Sequence, residues 1–187
     1  MNRKLMFGNV NNFWCTPQPF FDELNKEFNF TLDPCATEKS AKCKKFYTAE
    51  DNGLEQDWGG QTVFANPPYG RQIGKWVKKC YEESKKLGTI VVLLIPSRTD
   101  TRYFHDYILG KAEIRFIKGR LTFWDLDGEK YLLGKFRDMT PAPFPSLLAI
   151  FELSREKNIF GGNSKIGQVQ AQTGVLTRVI NGSNIAL

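Results

Sequence analysis

Residues 89–96, Thr-Ile-Val-Val-Leu-Leu-Ile-Pro, constrain the fold more than any other stretch. From Ile90 to Ile95 every residue is aliphatic, so the strand they predict has no polar side to show to water. Such a run suits a central parallel strand covered on both faces. Pro96 closes it by removing the next ladder donor. The flanking sequence supplies the covering helices. Phe20, Phe21, Leu24 and Phe28 fall on one helical face over 17–28, with Pro17 near its start. Ile73, Trp76, Val77, Cys80, Tyr81 and Leu87 do the same over 72–87, with lysines opposite, and 101–109 also reads as helical. Short strands are predicted at 30–32, 45–48, 62–65, 113–117 and 146–153. Strands alternating with helices imply a doubly wound α/β fold with a mostly parallel sheet. Ligands of such sheets bind beyond the carboxyl ends of the strands. Asp33, Asp57, Asn66 and Pro96 fall at or near such ends.

A chain of 187 residues is long enough for one domain with a real core. We expect that domain to occupy residues 1–153. Residues 160–187 are rich in Gly, Asn, Gln and Ser without periodicity, so 154–187 is expected to be a flexible tail. A small hairpin around Asn181-Gly182 is the alternative. The net charge of +6 favours an anionic partner. No apolar stretch resembles an export signal or approaches the ~18 residues of a membrane span, which predicts a soluble, cytoplasmic protein without membrane contact. Cys15, Cys35, Cys43 and Cys80 form no CxxC pair, and His105 is the single histidine. Reduced, buried cysteines and no metal site are expected.

Asn66-Pro67-Pro68-Tyr69 follows the apolar strand 62–65 directly. Each proline fixes φ, removes a backbone donor and pushes the preceding residue out of the helical region. Carbonyls in such a corner are not consumed by a helix and can face a ligand. Asn66 adds an amide oxygen, and Tyr69 adds an aromatic face with a hydroxyl. Two acceptors beside a stacking ring are what a planar, amino-bearing base requires. An ordinary Asn-Pro turn is the competing reading.

Further segments follow in a fixed order: Trp14-Cys15-Thr16-Pro17, Leu32-Asp33-Pro34-Cys35-Ala36, Asp57-Trp58, Asn66-Pro67-Pro68-Tyr69, Gly119-Arg120-Leu121-Thr122-Phe123 and Ala142-Pro143-Phe144-Pro145-Ser146. With them the chain, over residues 11–153, resembles the phage-type DNA N-6-adenine methyltransferases, the phage Dam-like family. The resemblance implies a Rossmann-like, S-adenosylmethionine-dependent methyltransferase fold. It also implies methyl transfer to the amino group of adenine in double-stranded DNA, with the base flipped out.

Asn66, Pro67, Pro68 and Tyr69 would then be catalytic. The S-adenosylmethionine site would draw on Trp14, Thr16 and Pro17 at the methionine end, with Asp33, Pro34, Cys35 and Ala36 beside it. Glu50 or Asp51 would hold the ribose, and Asp57 and Trp58 the adenine. The Gly-x-Gly expected after the first strand is replaced here by Asp33-Pro34-Cys35-Ala36-Thr37. DNA would meet Arg71, Arg98, Arg102, Lys118 and Arg120. Phe123 and Trp124 would form a second wall of the base pocket, or pack in the core. If about four phosphates are neutralised, log K should fall with log salt at a slope of roughly −3 to −4. The resemblance implies no metal and no obligate protein partner, and a phage or prophage gene acting in a bacterial cytoplasm. Methylation of RNA adenine or of a glutamine amide, and a catalytically silent DNA-binding module of the same fold, remain as alternatives.

Overall fold

In a computed structural model the described residues are 14–124, 141–153, 167–170 and 178–179. In chain order they form α1 (Gln18–Phe28), β1 (Leu32–Asp33), β2 (Lys45–Phe46), β3 (Thr62–Ala65), α2 (Ile73–Glu83) and β4 (Ile90–Pro96). Then come α3 (Arg102–Tyr107), β5 (Glu113–Lys118), β6 (Ser146–Glu152), β7 (Gly167–Gln170) and β8 (Arg178–Val179). The strands make one sheet in the order β2-β1-β3-β4-β6-β5-β7-β8.

β4 is buried on both faces, as its composition demands. Val92 and Leu94 meet Phe20, Phe21, Leu24 and Phe28 of α1, along with Leu148 and Ile150 of β6. Val91, Leu93 and Ile95 meet Trp76, Val77 and Cys80 of α2, together with Phe104 of α3 and Leu147, Ala149 and Phe151 of β6. Each large side chain buried in this way contributes about 1.5–3 kcal/mol. Helices therefore cover both faces. α1 starts at Pro17, whose extended backbone precedes the first turn, and stops at Asn29 in the left-handed region with φ 55°. The Asn25 amide oxygen then accepts from the Phe30 N–H at 2.7 Å and directs the chain into β1.

Two expectations need correction. The sheet is mixed rather than mostly parallel: β6 runs antiparallel to both β4 and β5, and β8 antiparallel to β7. A parallel strand requires the chain to cross back to the opposite edge first. After β5, residues 119–124 and 141–145 stay at the edge where β5 ends, joined by the Ala142 N–H to Leu121 carbonyl bond of 2.9 Å. The chain thus re-enters as β6 in the reverse direction. The second correction concerns α2, which ends at Glu83 and not near residue 87. Glu83 turns inward to accept from the Trp58 N–H at 2.9 Å, and Leu87, expected on the apolar face, is 88% exposed.

Within 154–187, where a flexible tail was expected, β7 adds to β5 in parallel and β8 pairs with β7. Asn181-Gly182 lies outside the described residues. Among the described residues, no helix is long and apolar enough to cross a membrane.

The topology contains a switch point. β1 pairs with β2 on one side and with β3 on the other, all parallel. The chain therefore winds outward from β1 in one direction and then in the other, and the edge beyond the carboxyl ends at that switch, the crevice of such sheets, is where their ligands bind. β1, β3, β4 and β5 all end at this edge, at Asp33, Ala65, Pro96 and Lys118, and β6 starts there at Ser146.

Candidate active site

Asn66 follows the last residue of β3, so the strand itself fixes its backbone at the crevice. Its Nδ2 donates to the Trp14 carbonyl and to Thr16 Oγ1, the latter at 2.9 Å. Its Oδ1 is buried and accepts no hydrogen bond from the described residues. Leaving a buried acceptor unpaired costs about 1–3 kcal/mol, a cost that a matching donor would remove. The Pro68 carbonyl accepts from the Gly70 N–H at 3.0 Å, whereas the Pro67 carbonyl receives no backbone donor from the described residues. The corner therefore offers two acceptors in a row, the Asn66 amide oxygen and the Pro67 carbonyl.

Aromatic side chains gather beside those acceptors. Tyr69 packs edge-to-face with Phe144 and Phe123, at centroid separations of 5.6 and 6.1 Å. Trp14 packs the same way on Phe144 and Phe123, at 5.2 and 5.5 Å. The Tyr69 hydroxyl reaches the Leu94 carbonyl of β4 at 3.3 Å, and burial pushes its pKa well above the usual tyrosine value. Trp14, expected on the cofactor, has its ring in this aromatic group. Phe144, which sequence reasoning did not assign, is held in it between Pro143 and Pro145. The available signal was an aromatic residue locked between two prolines at the mouth of a strand.

A strap holds the group together. The Cys15 N–H and carbonyl exchange hydrogen bonds with those of Trp124 at 3.1 and 2.9 Å. Gly119, with φ 82°, permits the turn that carries the chain from β5 toward this strap. Phe123 thereby enters the aromatic group. Trp124 instead sits outside it, with the Lys42 ammonium 5.6 Å from its ring.

At the switch between β1 and β3, the Asp33 carboxylate is 5% exposed. It accepts from the Cys35 N–H at 3.3 Å and the Lys42 N–H at 3.2 Å. Burial outweighs those bonds and raises its pKa to about 6. A carboxylate has room for further donors beyond these two, so a cationic or hydroxyl-bearing ligand would be favoured beside it. Pro34 and Ala36 are buried next to it, and the Ala36 N–H is already bonded to the Tyr47 carbonyl at 3.0 Å. Burial, then the charge of Asp33, raises the Cys35 thiol pKa well above its ordinary value. Burial likewise pushes Cys43 up to about 12 and Cys80 further. Among the described residues these cysteines offer no poised thiolate.

The loop after β2 carries Glu50 and Asp51, both exposed. Asp51 accepts from the N–H and hydroxyl of Thr48, each at 2.8 Å, and these bonds lower its pKa. Asp57 and Trp58 are not brought to the crevice. They precede β3 and so lie at its amino edge, where exposed Asp57 pairs with Lys86 at 2.7 Å. Trp58 is fully buried, its indole N–H donating to the Gly53 carbonyl at 3.0 Å. It is a core residue stacked near Trp76.

Arg71, Arg98 and Arg120 are exposed on the loops that leave β3, β4 and β5 at the crevice edge, and Lys118 is exposed as the last residue of β5. Arg120 reaches the Ala142 carbonyl at 3.4 Å. Arg102 opens α3 and pairs with Asp106 at 3.1 Å. Among the described residues, no cluster of metal-ligating side chains occurs.

A model of the family described as DNA N-6-adenine-methyltransferase (Dam) matches residues 6–166. The chain is 36% identical over 124 residues to the DNA N-6-adenine-methyltransferase of Escherichia phage T1, covering 65% of this chain and 51% of that protein. It is 33% identical over 115 residues to the protein of the same name from Haemophilus phage HP1, covering 60% of this chain and 66% of that protein. The match thus spans about half the length of the first relative and just under two thirds of the second. With most of its length inside the family match, a mixed α/β sheet and an Asn-Pro-Pro-Tyr corner at the topological switch, the chain belongs to the DNA N-6-adenine-methyltransferase (Dam) family.

Proposed function

We propose that this chain methylates the exocyclic amino nitrogen of adenine in double-stranded DNA, using S-adenosylmethionine, with the target base turned out of the helix. The observation that carries this reading is the buried, unpaired Oδ1 of Asn66. An amino group is its natural complement, since it brings two N–H bonds, one for Oδ1 and one for the neighbouring Pro67 carbonyl. The nitrogen lone pair of adenine is delocalised into the ring and is a weak nucleophile. Two fixed acceptors draw the nitrogen toward tetrahedral geometry and stabilise the positive charge that develops on it, as an oxyanion hole does with opposite sign. Holding the base at a fixed distance and angle supplies a further part of the rate.

S-adenosylmethionine would supply an electrophilic methyl carbon on a sulfonium, which leaves as a neutral thioether, while the methylated nitrogen gives up one proton to solvent. The crevice between β1 and β3 fits it in one testable respect: it holds a buried carboxylate, Asp33, that would be ionised by a cationic partner. Asp33 with Pro34, Cys35 and Ala36 would flank the methionine portion. Glu50 would hold the ribose hydroxyls, because the Asp51 carboxylate is committed to Thr48.

Turning a base out of duplex DNA costs a few kcal/mol. Stacking on an aromatic ring returns about 1–3 kcal/mol per base, and Tyr69 with Trp14, Phe123 and Phe144 offers such rings. Arg71, Arg98, Arg102, Lys118 and Arg120 would meet phosphates around the opening. The phage relatives favour a phage or prophage origin.

The test incubates the protein with radiolabelled S-adenosylmethionine and separate duplex DNA, RNA and protein acceptors, followed by digestion to nucleosides or amino acids. Label is expected in DNA alone, on the adenine amino group. Label in RNA or on glutamine would reassign the acceptor, and absence of donor binding by calorimetry would leave a silent DNA-binding module.

A further inference from the structure

An asparagine amide is nearly symmetric in shape and opposite in chemistry at its two ends. Rotated by half a turn, Asn66 would present two donors to an incoming amino group and repel it. Something must therefore fix which way round the amide sits. We propose that Thr16 is a positioning residue for the transfer reaction, its hydroxyl acting with the Trp14 carbonyl to lock the Asn66 amide with Oδ1 toward the base. The proposal rests on the reading of Asn66 given above.

Asn66 Nδ2 carries two hydrogens, and both find acceptors on the same short segment, the Trp14 carbonyl and Thr16 Oγ1. The Trp14 carbonyl can only accept. A flipped amide would set two oxygens against each other there. A hydroxyl can serve either end of an amide, so Thr16 adds strength and direction to an orientation that Trp14 selects. Thr16 is 2% exposed, so water does not compete for this bond.

The chain geometry accounts for both contacts. Cys15 spends both its N–H and its carbonyl on Trp124, and in extended chain the carbonyl of the preceding residue points to the opposite side, so the Trp14 carbonyl faces away from Trp124 and toward Asn66. Two residues on, the Thr16 hydroxyl reaches the same amide nitrogen. Pro17 and α1 follow at once, with Phe20 and Phe21 anchored in the core. Thr16 is held from both directions and was expected, on resemblance alone, to touch the cofactor. The two roles predict different kinetics.

Thr16→Val keeps the shape and removes the hydroxyl. We expect it to lower kcat on duplex DNA by about tenfold or more, a barrier change of about 1.4 kcal/mol. The S-adenosylmethionine Kd should stay within about twofold, and Thr16→Ser should restore kcat. Full kcat in Thr16→Val, or a weakened donor Kd with kcat retained, overturns the proposal. A second measurement does not depend on any variant folding. In nitrogen-15-labelled wild-type protein, both side-chain amide protons of Asn66 should exchange slowly with solvent, and fast exchange overturns the proposal as well. A wild-type protein that methylates no adenine would instead sink the reading of function, and is told apart because failure of the Thr16 role leaves wild-type activity intact.

Discussion

Asp33 gives the account its sharpest pH dependence. Its pKa rises from 3.8 to about 6 because burial penalises the charged form more than two backbone N–H bonds favour it. A displacement of about two units corresponds to roughly 3 kcal/mol. The native state holds this proton more tightly than the unfolded chain. Its contribution to stability is therefore fully present below about pH 4 and is lost as pH rises through 6. A cation bound beside the ionised carboxylate recovers part of that loss. If only the ionised form accepts the donor's cationic end, affinity is reduced by the factor 1 + 10^(pKa − pH), about elevenfold at pH 5 and about 1.1-fold at pH 7. S-adenosylmethionine has no group of its own that titrates between those values. Calorimetry from pH 5 to 7.5, in two buffers of different ionisation enthalpy, measures both Kd and protons released. A His105→Gln background removes the single histidine. Kd should rise about tenfold from pH 7 to pH 5, and Asp33→Asn should flatten that slope. A pH-independent Kd with Asp33 in place would refute the assignment of Asp33 to the donor site.

Tyr69→Ala should raise KM for DNA by about 5- to 150-fold, matching 1–3 kcal/mol of lost stacking, with donor Kd unchanged in calorimetry; an unchanged KM would remove Tyr69 from the base pocket. Asp57→Asn should leave donor Kd unaltered, because Asp57 lies at the amino edge paired with Lys86; a tenfold loss would put the donor's adenine at that edge after all. Arg115, buried on β5, holds Glu27 of α1 through two bonds of 2.6 and 2.7 Å and Glu113 at 2.7 Å. Arg115→Ala should destabilise the fold by about 1.5–3 kcal/mol in urea unfolding, the scale of hydrogen bonds to a charged group whose partners stay in reach of water, and a loss below about 0.5 kcal/mol would show the pair to be dispensable.

Local signals in the sequence were strong where burial is two-sided. The 90–95 run suits a covered central strand, and the spacing of Phe20, Phe21, Leu24 and Phe28 suits a helix with one apolar face, which the fold lays against it. The direction of β6 was hidden, because it depends on which edge of the sheet residues 119–124 and 141–145 follow, and no local periodicity encodes that. Asp57 illustrates the same limit. It sits close to Asn66 in sequence, yet a strand lies between them and carries the two to opposite edges. Asn66 itself was legible as an acceptor through the prolines beside it. Its partners Trp14 and Thr16 stand about fifty residues earlier, and only folding shows that they consume its donors and free its oxygen. Trp14 and Thr16 stand in a motif, but a motif does not say what its residues touch.

The central claim is that the Asn66 amide oxygen holds the amino group being methylated. Single-turnover transfer to duplex DNA by Asn66→Ala, beside a calorimetric donor Kd, tests it most directly. The account predicts a rate lower by at least about a hundredfold, the scale of removing one preorganised dipole, with donor affinity within about twofold of wild type. Transfer at a rate within tenfold of wild type would contradict it.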